Sequence, residues 1–149
     1  MSKQVRKRTV LIADDESEVV QLVQMILEWE GYQVIAAADG LETLRRAEND
    51  RPDLILLDVR MPRMSGLTVL EHLAKLETAA IPVIMLSVVT THPEVRAALQ
   101  RGAIAYLTKP FELKEMTRLV GQILAMDSAQ RDAYRQKAMD TLDRGWNHS

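Results

Sequence analysis

The chain contains no cysteine, which removes disulfides, thiolate metal sites and cysteine nucleophiles together and suits a reducing compartment, so the cytoplasm is the expected location. Long apolar runs are missing too. The basic segment from Lys3 to Arg8 leads into only a brief hydrophobic stretch before Asp14, too short for a signal peptide or a membrane span. Positive charge is not in excess either. The formal net charge is −2, so no global field draws the molecule to nucleic acid or anionic lipid, and partners are expected to be recognised by a local surface. The N-terminal basic cluster, residues 1–8, reads as a solvated arm. Aromatic residues are scarce, at 4%, which makes the placement of a tyrosine within a strand more informative than usual.

What is present describes a globular protein. With 149 residues, 47% of them hydrophobic and 27% charged, the chain suits one domain with a real core. Five short apolar runs are predicted strands: Thr9 to Ala13, Gln33 to Ala37, Leu54 to Asp58, Val83 to Ser87 and Ala105 to Thr108. None alternates polar with apolar residues, as expected of parallel strands covered on both faces. Amphipathic stretches follow them, beginning near Glu16, Gly40, Gly66, Pro93 and Leu113, which gives a repeated βα pattern. In the first, Val19, Val20, Leu22, Val23, Ile26 and Leu27 recur at helical spacing before Gly31 supplies a stop. Pro52 and Pro82 break the chain before the third and fourth strands. Right-handed crossovers between such units make an α/β, open, doubly wound parallel sheet, whose ligands bind at the carboxyl ends of the strands.

The search for chemistry therefore narrows to the polar residues that end the apolar runs. The first strand ends in Asp14-Asp15, the third in Asp58, the fourth in Ser87 and the fifth in Thr108-Lys109-Pro110. Three carboxylates crowded together repel and are costly to desolvate unless a cation or the lysine neutralises them. With no histidine or cysteine in the set, a hard, oxygen-seeking ion such as Mg2+ fits best. A carboxylate can also attack phosphorus and form an aspartyl phosphate when metal and lysine spread the charge on the phosphoryl oxygens. Asp58 is the candidate nucleophile, because it ends the most central-looking run. Ser87 and Lys109 are placed to contact the acquired group. Taken singly, each residue also reads as a helix cap, a turn residue or a salt bridge; their joint occurrence at successive strand ends favours the phosphoacceptor.

The pieces LIADD, PDLILLDVRMPRMSG, IPVIMLS and GAIAYLTKPF occur in that order, and from about Thr9 to Met126 the chain resembles the receiver domains of two-component response regulators. The resemblance implies a five-stranded, flavodoxin-like (βα)5 fold with strand order 2-1-3-4-5. It implies that Asp14, Asp15, Asp58 and the backbone carbonyl of Arg60 hold Mg2+, and that a sensor histidine kinase or histidine phosphotransfer protein phosphorylates Asp58. Ser87 and Lys109 would contact the phosphoryl group, Lys109-Pro110 would be a cis peptide, and Tyr106 would be a switch aromatic that answers to Ser87. Pro62 and Gly66 are expected to shape the loop after Asp58.

Several positions depart from the family pattern. Val88 stands where a small residue is usual; with Val89 it is expected to shield the aspartyl phosphate and slow its loss, while Arg60 also sits at a position that modulates that rate. Ile104 and Ala105 replace the acidic residues of many DNA-binding members. Ile104 is expected to contribute an exposed apolar contact patch, and the Ile104 and Tyr106 face is one candidate homodimer surface. Residues 127–149 are too short for a separate output domain. They are expected to form a helix on Ala129, Ala133, Tyr134, Ala138, Leu142 and Trp146, with ion pairs Asp127–Arg131 and Asp140–Arg144. It either continues the fifth helix or starts at Asp127 or Ser128, and it packs on its own domain or serves as a second dimer surface. The leading expectation is a phosphorylation-driven binding switch acting on a protein target, not an enzyme. A Mg2+-dependent phosphohydrolase would carry an acid two residues after its nucleophile, where this chain has Arg60; a scaffold that never carries phosphate would not require the complete set.

Overall fold

In the computed structural model, which describes residues 6–89 and 91–146, the first apolar run forms β1 (Thr9–Ala13), followed by α1 (Ser17–Trp29), β2 (Gln33–Ala37), α2 (Gly40–Asp50) and β3 (Leu54–Asp58). The second half comprises α3 (Gly66–Ala74), a 3-10 turn (Glu77–Ala80), β4 (Val83–Ser87), α4 (His92–Gln100), β5 (Ala105–Thr108), α5 (Leu113–Leu124) and α6 (Ser128–Trp146). Lys3 of the basic arm lies outside the described residues. Arg6 lies within them and pairs with Asp53 at 3.2 Å.

All four strand pairings are parallel, and the sheet order is β2-β1-β3-β4-β5. This is the five-stranded, doubly wound, flavodoxin-like sheet that the sequence implies. Successive side chains on a strand point to opposite faces, so one set of apolar runs feeds two cores. Val10, Ile12, Leu54, Leu56, Ile84 and Leu86 pack on one face with Val23 and Leu27 of α1 and Met116, Val120 and Ile123 of α5. Leu11, Ile55, Leu57, Val83 and Met85 pack on the other with Ala47 of α2, Val69, Leu70 and Leu73 of α3 and Ala98 of α4. β3 and β4 are buried throughout, whereas β2 and β5, at the sheet edges, are partly open.

The C-terminal segment starts a new helix. Asp127 Oδ1 accepts the backbone N–H of Gln130 at 2.8 Å, and Gln130 Oε1 accepts that of Asp127 at 2.9 Å, a reciprocal cap. This use of Asp127 corrects one expectation: the Asp127–Arg131 pair does not form, and Arg131 Nε donates instead to the carbonyl of Ile123 at 3.2 Å. Asp140 likewise takes its hydrogen bond from Gln136, at 3.1 Å, and not from Arg144. The helix turns back across the β5 edge between α4 and α5, with Tyr134 packed against the core of the α1–α5 face. Tyr134, Ala138 and Leu142 face inward, while Ala129 and Ala133 are exposed; the Trp146 side chain lies outside the described set.

That return path overturns the proposed Ile104 patch. Ile104 is only 3% exposed and belongs to the core of the α1–α5 face, because the residue leading into β5 points beneath α6 and not into solvent.

Candidate functional site

The carboxyl edge of the sheet is where the ladders run out and polar side chains begin. The backbone N–H of Asp14 still bonds the carbonyl of Ala37 at 3.1 Å, which fixes its direction at the top of β1. Its Oδ1 accepts the N–H of Glu16 at 2.9 Å and its Oδ2 accepts Lys109 Nζ at 2.6 Å. Asp58 closes β3, in register with Leu86 of β4, so Ser87 reaches the same edge. Lys109 is set by its N–H bond to the Ser87 carbonyl, 2.8 Å, just before the cis Lys109–Pro110 bond.

Lys109 Nζ gathers the acids: besides Asp14 it reaches Glu16 Oε1 at 3.2 Å and Asp58 Oδ2 at 3.4 Å. Asp58 Oδ1 takes the backbone N–H of Arg60 at 3.2 Å. Asp14, Asp58 and Ser87 are buried. The resulting fields oppose one another. Burial and the neighbouring Asp14 charge push the Asp58 carboxyl up to about 6, against the Arg60 N–H and Lys109, which lower it. Burial works to lower the Lys109 value, but the hydrogen bond to Asp14 and the charges of Asp58 and Asp14 prevail and raise it.

Oxygen atoms of Asp14, Glu16 and Asp58 lie within 4.8 Å of one another. Three carboxylates facing one ammonium leave an excess of negative charge, and all donors are oxygen, which is the chemistry that accepts a hard divalent cation. Among the described residues the acids that lie this close are Asp14, Glu16 and Asp58. Asp15 is exposed and falls outside the group, whereas Glu16 belongs to it. Asp14 and Asp15 both lie beyond the last residue of β1, and Glu16 is the residue that precedes α1, from which its side chain reaches Lys109.

Around this centre, Ser87 Oγ accepts the N–H of Val89 at 3.0 Å, and the Tyr106 hydroxyl donates to the Val89 carbonyl at 2.6 Å. Burial raises the Tyr106 phenol above its ordinary value. Val88 is 64% exposed and lines an apolar groove with Val19, Lys109 and Phe111 beside the acids. Gly66 supports the loop from below: a Cβ there would sit 2.2 Å from the Asp58 carbonyl oxygen. Only glycine permits α3 to start this close to the end of β3.

A parallel sheet of this order, with an acid cluster and a lysine at its carboxyl edge, defines a receiver of the two-component type. Residues 10–121 match the response regulator receiver domain family, and the chain belongs to that family. Among its relatives, the alkaline phosphatase synthesis transcriptional regulatory protein PhoP of Bacillus subtilis is 39% identical over 117 residues, covering 78% of this chain and 48% of PhoP. The chain thus spans about half the length of the curated relatives it matches. The solved chemotaxis response regulator CheY4 of Vibrio cholerae is 30% identical with a TM-score of 0.75, covering 79% of this chain and 99% of CheY4. The receiver domain of the sensor histidine kinase PA1611 from Pseudomonas aeruginosa PAO1, which has a magnesium ion coordinated in its active site cleft, is 28% identical with a TM-score of 0.75, covering 81% of this chain and all of that one. No helix among the described residues is long and apolar enough to cross a membrane.

Proposed function

We propose that Asp58 accepts a phosphoryl group from a phosphohistidine of a sensor histidine kinase or histidine phosphotransfer protein, and that the modified domain changes which protein it engages. The observation that carries this reading is the buried Asp58 carboxylate held between the Arg60 N–H and Lys109 Nζ at the end of the central strand. One Asp58 oxygen attacks phosphorus, the P–N bond breaks, and the departing imidazole nitrogen keeps the bonding pair. Lys109 pairs with the charge on the phosphoryl oxygens and the Ser87 hydroxyl donates to one of them. Asp14 and Asp58, with the Arg60 carbonyl and Asp15 or Glu16, would hold Mg2+, which when bound supplies further neutralisation of that charge. Tyr106 follows Ser87 as the switch aromatic.

Residues 9–126 form the receiver unit in this reading and 127–149 a helical extension. The net charge of −2 favours a protein target over direct nucleic-acid binding, and the cytoplasm is the setting in which a soluble kinase domain would meet it. Incubation with magnesium and acetyl phosphate is expected to add one phosphoryl group, acid-stable and labile to hydroxylamine. An adduct that persists in Asp58→Asn, or no adduct in the wild type, would overturn the assignment.

A further inference from the structure

Helix α6 is held to the domain in a way that ties it to the site loop. Its inner face borders a groove of about 680 Å3 lined by Leu99, Tyr106 and Leu119 together with Arg118, Gln122 and Lys137, so apolar packing beneath it is incomplete. Polar anchors supply the rest. The Asp143 carboxylate pairs with the Arg96 guanidinium and lies 3.5 Å from His92 Nε2, while Arg135 donates to the Leu99 carbonyl at 3.5 Å. His92 and Arg96 occupy the first turns of α4, which starts within five residues of Ser87.

The segment between them is bound at both ends of Val89: its N–H to Ser87 Oγ and its carbonyl to Tyr106. If the Ser87 side chain swings to bring its hydroxyl onto a phosphoryl oxygen, it carries the acceptor of the Val89 N–H with it and strains the Val89 carbonyl that holds Tyr106. Among the described residues, Glu94 Oε2 at the start of α4 is buried without a hydrogen-bond partner, so displacement of that turn lets the group reach water.

We propose that α6 is a cover released by phosphorylation: movement of the Ser87–α4 segment breaks the Arg96 and His92 contacts to Asp143, and α6 lifts from the β5 edge to bare the Leu99, Tyr106 and Leu119 wall of the groove beneath it. This rests on the phosphoacceptor reading of Asp58 and adds its mechanical consequence. Amide hydrogen exchange on the whole chain, with and without magnesium and acetyl phosphate, tests it, with label stoichiometry read in parallel by intact mass. Exchange across residues 131–146 is expected to rise at least about five-fold on labelling, with α5 unchanged. Asp143→Asn is expected to show the same rapid exchange without any phosphodonor while still accepting label. Full labelling with α6 still protected, or an Asp143→Asn protein whose α6 stays protected, overturns the cover and leaves the phosphoacceptor assignment standing. Failure to label removes both.

Discussion

Asp58 sits where burial and the Asp14 charge disfavour its ionised form while Lys109 and the Arg60 N–H favour it. Its carboxyl is raised from 3.8 to about 6, so the folded state prefers the protonated acid and its contribution to stability is present at low pH and lost as pH rises from about 4 through about 6. The full difference corresponds to on the order of 3 kcal/mol. Asp58→Asn is therefore expected to stabilise the metal-free protein by that amount at pH 7.5, with the gain vanishing near pH 4, in urea unfolding measured across pH. Gly66→Ala drives a methyl into the Asp58 carbonyl and is expected to cost about 2 kcal/mol in the same assay. Val88, at the groove beside Lys109, is expected to slow water's approach; Val88→Ala should lose its phosphoryl group faster than the wild type in a label-decay time course, and equal rates would end the shielding idea. Asp14, Asp58, Ser87 and Lys109 were legible from sequence because each terminates an apolar strand. Glu16 was not, because it belongs to a helix start and its participation depends on a side chain turning back toward Lys109.

The five strands fall where the apolar runs lie, since parallel strands covered on both faces leave an uninterrupted hydrophobic signal. Helix starts were nearly as clear: α1 begins one residue after Glu16, and α4 begins at His92 with Pro93 in its first turn, a position that tolerates proline. Helix α6 was readable as a helix but not in its contacts. Its expected ion pairs assumed an isolated surface, whereas Asp127 is committed to the cap and Asp143, which no spacing rule singled out, meets α4 across a long sequence gap. Asp127→Ala is expected to weaken the start of this helix by about 1 kcal/mol, seen as faster amide exchange over residues 128–132 with α1–α5 unaffected.

Across the whole molecule, α6 shields a sheet edge that would otherwise present unpaired backbone groups and keeps Ile104 out of water. The 149-residue chain is expected to scatter light as a 16.9 kDa monomer, and a dimer mass that collapses on truncation after Met126 would contradict packing of α6 on its own domain. The same truncation is expected to lower stability by on the order of 2 kcal/mol, roughly one large apolar side chain returned to water. The separation of 95 positions between Asp14 and Lys109 has a consequence for biosynthesis. During translation the acids of β1, α1 and β3 emerge well before the lysine that reconciles them, and the nascent sheet carries mutually repelling carboxylates until its last strand arrives. If Asp58 is the phosphoacceptor proposed above, any chain interrupted before residue 109 would hold it without its lysine partner, and competence to take up phosphate would then certify that synthesis and folding have reached the far edge of the sheet.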